Sequence, residues 1–130
     1  MSVPPDGRIV FKQVTGHDLS AEWGAVVPGV RRLVILAAHA SFVLFKVPVV
    51  VTTLFRTATE ERTLYPNDPG RVSAHQLGRA CDLRVLHAPD PTAYATRLRD
   101  ELTELDPQSR WLFEGLGSGR TPHLHGELTA

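Results

Sequence analysis

The sequence predicts an α+β domain, a small antiparallel sheet flanked by helices. Three observations carry that expectation. A long apolar stripe of helical period follows Pro28. A run rich in β-branched residues, Val47 to Phe55, comes directly after it. The C-terminal half then offers three strand-like segments, with one amphipathic helix crossing between the first and second.

Ile9, Val10 and Phe11 predict a short strand, and Leu19 to Val26 a short helix. Pro28 suits a first helical turn, because its missing N–H is one that a helix start leaves unpaired anyway. Val30, Leu33, Val34, Ala37, Ala38 and Ser41 form a continuous 3.6-period stripe, and apolar residues elsewhere on the segment predict a deeply buried helix. On this reading His39 is a core histidine. The apolar stretch Leu33 to Phe45 is too short to span a bilayer, and His39 and Ser41 interrupt it. Val47 to Phe55 reads as a strand. Thr59 to Tyr65 reads as a short helix stopped by Pro66, before the turn chemistry of Asn67-Asp68-Pro69-Gly70. Arg79 to Leu86 suits a strand. Asp90 is a good N-cap with Pro91 at the first helical position, and Tyr94, Leu98, Leu102 and Leu105 form the stripe of the helix that follows. Asp106-Pro107 ends it. Arg110 to Phe113 reads as a strand, Gly115 to Thr121 as a loop, and His123 to Leu128 as the last strand.

A chain of 130 residues with 42% hydrophobic content suits one domain, 1–130, with one core. Fourteen basic and fourteen acidic residues cancel, so no electrostatic footprint for nucleic acid is expected, and no basic helix suggests a membrane surface. A monomer without membrane insertion is the expectation. The single cysteine, Cys81, excludes an intramolecular disulfide and reads as a small buried apolar residue. Met1 to Gly7 lacks a basic segment leading into an apolar run, so no signal peptide is expected.

The chemistry concentrates in two segments. Ser73-Ala74-His75-Gln76-Leu77-Gly78-Arg79-Ala80-Cys81-Asp82 places an imidazole and a carboxylate seven residues apart. Pro122-His123-Leu124-His125-Gly126-Glu127 adds two imidazoles spaced by one residue, which share a face on a strand. Asp82 and Ala80 belong to one face of their strand, and Cys81, Leu83 and Val85 to an opposite, apolar face. Gly78 permits a tight bend or close approach that returns His75 towards Asp82. Two imidazoles and a carboxylate make a three-ligand metal centre with an open position, the usual design of a hydrolytic zinc site. The spacing leaves open which of His123 and His125 faces the ion.

Ser-x-His-x-x-Gly-x-Ala-x-Asp followed by a late His-x-His resembles the zinc peptidases of bacterial cell-wall peptides. That superfamily includes D-alanyl-D-alanine carboxypeptidases, L-alanyl-D-glutamate endopeptidases of phage endolysins and, in its metal-site layout, the Hedgehog amino-terminal domain. Every fixed position of the first motif is matched, at Ser73, His75, Gly78, Ala80 and Asp82. Val51-Thr52-Thr53-Leu54-Phe55-Arg56-Thr57 is similar to the segment ending in a substrate-binding arginine. The resemblance covers roughly residues 28–128.

The resemblance implies a Hedgehog/D-Ala-D-Ala-peptidase-like fold and Zn2+ held by His75, Asp82 and His125. It implies a metallopeptidase, carboxypeptidase or endopeptidase, acting on a peptidoglycan peptide through a metal-activated water. Arg56 would bind a peptide carboxylate or the developing oxyanion, its bland alternative being a surface pair with Glu60. The expected base position, three residues before the late histidine ligand, holds Pro122 or Arg120, and neither can act as a base. In one group of the peptidases it resembles, a Glu at the corresponding strand end precedes the histidine pair, so the resemblance implies Glu114 as the candidate base, assisted by His123, with Glu127 a rival more suited to orienting a ligand imidazole. Ser73 is expected to bond backbone or Asp82. His17 and His87 are expected on the surface. The alternative is a non-catalytic zinc-binding module of Hedgehog type, such as a phage structural or cell-wall-binding component. With no signal expected, phage-type release or a place in the virion would bring the chain to the wall.

Overall fold

The computed structural model describes residues 7–68, 70, 72–115 and 121–129. The chain runs β1 (Ile9–Phe11), α1 (Leu19–Ala25), α2 (Pro28–Phe45), β2 (Val49–Thr53), α3 (Ala58–Leu64), β3 (Ala80–Arg84), α4 (Pro91–Leu105), β4 (Ser109–Glu114) and β5 (His123–Leu128). The class is α+β, with a five-stranded sheet in the order β1-β2-β3-β5-β4. The sheet is mixed, which corrects the expectation of an antiparallel one. β1 pairs parallel with β2, and the other neighbours pair antiparallel. The reason is the connection: α1 and α2 lie between β1 and β2, and a crossover of that length returns the chain in the same direction. The segment 116–120 of the expected Gly115–Thr121 loop lies outside the described residues.

Local chemistry sets the helix ends. Asp18 and Asp90 cap α1 and α4, their carboxylates accepting from Ala21 N and Ala93 N. Thr57 and Glu60 form a reciprocal capping box at the start of α3. α2 closes on Lys46 in the left-handed region, φ 61°. The stripe Val30, Leu33, Val34, Ala37, Ala38 and Ser41 is buried throughout. By length and composition α2 does reach what a membrane span requires, unlike the shorter Leu33–Phe45 stretch. Its buried face forms part of this fold's core. His39 is exposed rather than in that core, because it shares an outward face with Ile35 and Val43, four residues to either side.

The core lies between the helices and one face of the sheet. It joins α2 and α4 (Tyr94, Ala95, Leu98, Leu102) to Val49, Val51, Cys81, Leu83, Trp111 and Leu124. It extends N-terminally past the 28–128 stretch to Ile9, Leu19, Trp23 and Val26. His87 is half-buried rather than on the surface: its Nε2–H donates to Pro48 O at 2.8 Å, and its ring meets Tyr94 edge-on. His17 is also withdrawn from the surface, between Glu22 (2.7 Å) and Glu60 (2.8 Å), where it ties α1 to α3. Cys81 is fully buried, and burial pushes its thiol well above its ordinary range.

Candidate metal centre

Strand register builds the site. Across β3, β5 and β4, Asp82 stands opposite His125 and His125 opposite Leu112. One row along, Arg84 stands opposite His123 and His123 opposite Glu114. Side chains opposite one another in an antiparallel pair share a face. Asp82, His125, Arg84, His123 and Glu114 therefore share one face of the sheet, while Cys81, Leu83 and Leu124 fill the core on the other. Gly126 belongs to the core side, where a Cβ would come within 2.6 Å of the Trp111 ring. The glycine between His125 and Glu127 thus admits the indole behind the histidine strand.

His75 arrives from the loop between α3 and β3. Successive turns there run Ser73 O to Gln76 N, Ala74 O to Leu77 N and His75 O to Gly78 N. Gly78 has φ +67°, and a side chain there would meet Phe55 at 2.8 Å, so the bend and the close approach both require glycine. The buried imidazole donates Nδ1–H to Leu54 O at 3.1 Å. A carbonyl can only accept, so Nε2 is left with its lone pair in the neutral ring. That Nε2 is buried, has no hydrogen-bond partner among the described residues, and lies 3.1 Å from Asp82 Oδ1 without the alignment of a hydrogen bond.

Asp82 is the hub, and its two oxygens divide the work. Oδ1 faces His75 Nε2 at 3.1 Å, His125 Nδ1 at 3.0 Å and His123 Nε2 at 3.8 Å. Oδ2 faces Arg56 Nη2 at 3.6 Å. Burial pushes the Asp82 carboxyl up, but His75, His125 and His123 more than offset it and hold it far below the usual carboxylate range. His125 is pushed down by burial, yet Asp82, Glu114 and Glu127 together raise it above its ordinary value. The ligand atoms of His75, Asp82 and His125 lie within 4.8 Å of one another, and this cluster can hold a metal ion. An orphaned, buried imidazole lone pair is what a cation would satisfy.

The remaining predicted residues are brought to the same place. Glu114 Oε1 is 3.9 Å from His125 Nδ1, and Glu127 Oε1 is 3.4 Å from His125 Nε2. His125 Nδ1 is hydrogen-bonded to Asp82 Oδ1 at 3.0 Å, and Glu127 lies beside its other nitrogen. His123 donates Nδ1–H to Thr121 O at 2.9 Å, which turns Nε2 towards Asp82. It stands outside the three-residue cluster. Arg56 precedes the cap of α3 and does not pair with Glu60. It donates Nη1–H to Glu61 Oε2 at 3.0 Å, while Glu60 serves His17 and Thr57. Among the described residues, the Ser73 hydroxyl bonds neither backbone nor Asp82 and instead donates to the same Glu61 Oε2 at 3.0 Å.

Glu61 is the site residue that sequence reasoning missed. It is 1% exposed and holds Arg56 and Ser73 together. Its short helix, Ala58-Thr-Glu-Glu-Arg-Thr-Leu64, carries no apolar stripe to mark an inward face. The one available signal was its place five residues after Arg56.

Two cavities meet at the centre and share Arg56, Asp82 and His123. A polar one of about 320 Å³ holds His75, His125, Glu114, Glu127 and Arg110, and a larger one of about 700 Å³ runs past Thr52, Thr53, Arg84 and Lys12. Comparisons of the chain with protein-family models, with curated proteins and with solved structures find no match.

Proposed function

We propose that this chain is a zinc-dependent peptidase of the Hedgehog/D-Ala-D-Ala-peptidase-like type that hydrolyses peptidoglycan stem peptides. The observation that carries the reading is the donor set, with its orphaned His75 Nε2 beside a cleft that also holds a carboxylate and a guanidinium. Asp82 Oδ1 lies 3.1 Å from His75 Nε2 and 3.0 Å from His125 Nδ1, and the three ligand atoms lie within 4.8 Å of one another, close enough for one ion to be shared among them. His75, Asp82 and His125 would hold the zinc, which would supply Lewis acidity for water activation and carbonyl polarisation.

The chain's own residues do the rest. Glu114 lies within a short reach of the ligand atoms and keeps 34% of its side chain exposed, so it can take a proton and release it towards the leaving amine. His123 offers an Nε2 lone pair to the same space, because Thr121 O fixes its Nδ1–H. Arg56, held by Glu61 through Nη1 and facing Asp82 through Nη2, borders both cavities and has further N–H donors for a peptide carboxylate or an oxyanion. In this reading the chain acts on the cell wall after phage-type release or as a virion component.

The test is digestion of purified muropeptides by zinc-loaded protein, read by mass spectrometry. Wild type should cleave a stem peptide, and Glu114→Gln should keep its zinc while losing about a hundredfold in turnover, the scale of a lost general base. Unchanged turnover would move that role to His123 or Glu127. No cleavage of any wall preparation by zinc-loaded wild type would favour the non-catalytic zinc-binding module. The residues at 120 and 122, arginine and proline where relatives carry a carboxylate, support that second reading.

A further inference from the structure

We infer that the larger cavity contains a carboxylate-binding subsite formed by Arg84 and Lys12, which selects peptides with an acidic residue beside the bond at the metal centre. The inference rests on the proposed peptidase reading for the kind of ligand, and on the cavity for the rest. At about 700 Å³ the cavity is of ligand size, and it opens onto the centre through Arg56, Asp82 and His123.

Arg84 is two residues beyond Asp82 on β3, so it shares Asp82's face, about 7 Å along at a strand rise of about 3.3 Å per residue. The Arg84 Nε is buried without a hydrogen-bond partner, and no carboxylate among the described residues pairs with this guanidinium. Lys12, exposed at the end of β1, lines the same cavity and likewise has no ion pair among the described residues. The cavity's own carboxylates are engaged elsewhere. Glu60 is held by His17 and the Thr57 backbone, and Asp82 by the imidazoles and Arg56. A half-buried guanidinium without a counter-charge favours an anionic ligand, and its fork fits a carboxylate through two parallel hydrogen bonds.

The test uses zinc-loaded full-length protein and two probes, the stem tetrapeptide L-Ala-D-Glu-L-Lys-D-Ala and its D-Gln counterpart. Calorimetric titration gives each dissociation constant, and mass spectrometry of the same samples shows whether the peptide was cut. Wild type should bind the D-Glu peptide about tenfold more tightly. Arg84→Gln should bring the two probes within twofold of each other, with zinc content and D-Gln affinity unchanged, and Arg84→Lys should retain part of the preference. Lys12→Gln, at an exposed position that does not threaten folding, should lower the preference two- to threefold. Equal affinity of wild type for the two probes, or a preference that survives both Arg84→Gln and Lys12→Gln, overturns the subsite. Tight, selective binding without cleavage would instead overturn the peptidase reading and leave the subsite standing.

Discussion

Removing the Glu61 side chain should both destabilise the fold and release Arg56. The carboxylate is 1% exposed and accepts from Arg56 Nη1 and Ser73 Oγ, each at 3.0 Å. A hydrogen bond between charged groups contributes about 1.5–3 kcal/mol, and a bond from a neutral hydroxyl about 1 kcal/mol. Breaking a buried pair outright can cost about 3–5 kcal/mol. Arg56 keeps Asp82 at 3.6 Å and so is not stranded, which places Glu61→Ala at the lower end, about 3 kcal/mol. For a chain of this length the entropy of unfolding is about 0.27 kcal/mol/K, so the melting temperature should fall by about 11 °C. With a urea slope of about 1.5 kcal/mol/M, the midpoint should fall by about 2 M. Glu61→Gln keeps the shape and an acceptor oxygen and should lose about half as much. Equilibrium urea unfolding of the three proteins measures this. A midpoint for Glu61→Ala within 0.3 M of wild type would refute the buried clamp, and with it the claim that α3 positions Arg56.

Purified protein reconstituted with zinc should hold about one ion per chain by elemental analysis, and Asp82→Ala or His125→Ala should lose it. Loss with His123→Ala but not His125→Ala would exchange the two histidines. Arg56→Lys should impair muropeptide cleavage nearly as much as Arg56→Ala while zinc content stays constant, because an ammonium cannot reproduce the guanidinium fork. Near-wild-type kinetics in the lysine variant would remove that clamp. The His17 pKa is raised, by hydrogen bonds to Glu60 and then Glu22. A raised histidine contributes stability that is whole below its unfolded value, about 6.5, and is lost as pH climbs through the folded value. Urea midpoints measured from pH 5.5 to 8.5 should therefore contain a decline that His17→Gln lacks, and parallel profiles would discount the α1–α3 clamp.

Much of this was legible along the chain because it depends on local periodicity. The stripe from Val30 to Ser41 needs only the 3.6-residue repeat to name its buried face, and Asp90-Pro91 needs only cap chemistry. Period two likewise placed Asp82, His123 and His125 opposite the apolar Cys81, Leu83 and Leu124. What the sequence left open depended on chain segments that meet only in three dimensions. β1 became a parallel neighbour of β2 because the helices between them carry the chain across, a matter of connection rather than of residues 9–11. His39 turned outward because an apolar helix with one packed side still presents the other to solvent. Ser73 and Arg56 converge on Glu61, whose burial no stripe announces. The carbonyls of Leu54 and Thr121, which select the free nitrogen of His75 and His123, carry no side-chain signature at all. Residue types and spacing along the chain thus determined which groups could bind an ion. Folding decided which lone pairs face one another, because backbone carbonyls fix the orientation and proton of His75 and His123, and the Asp82 carboxylate positions His125.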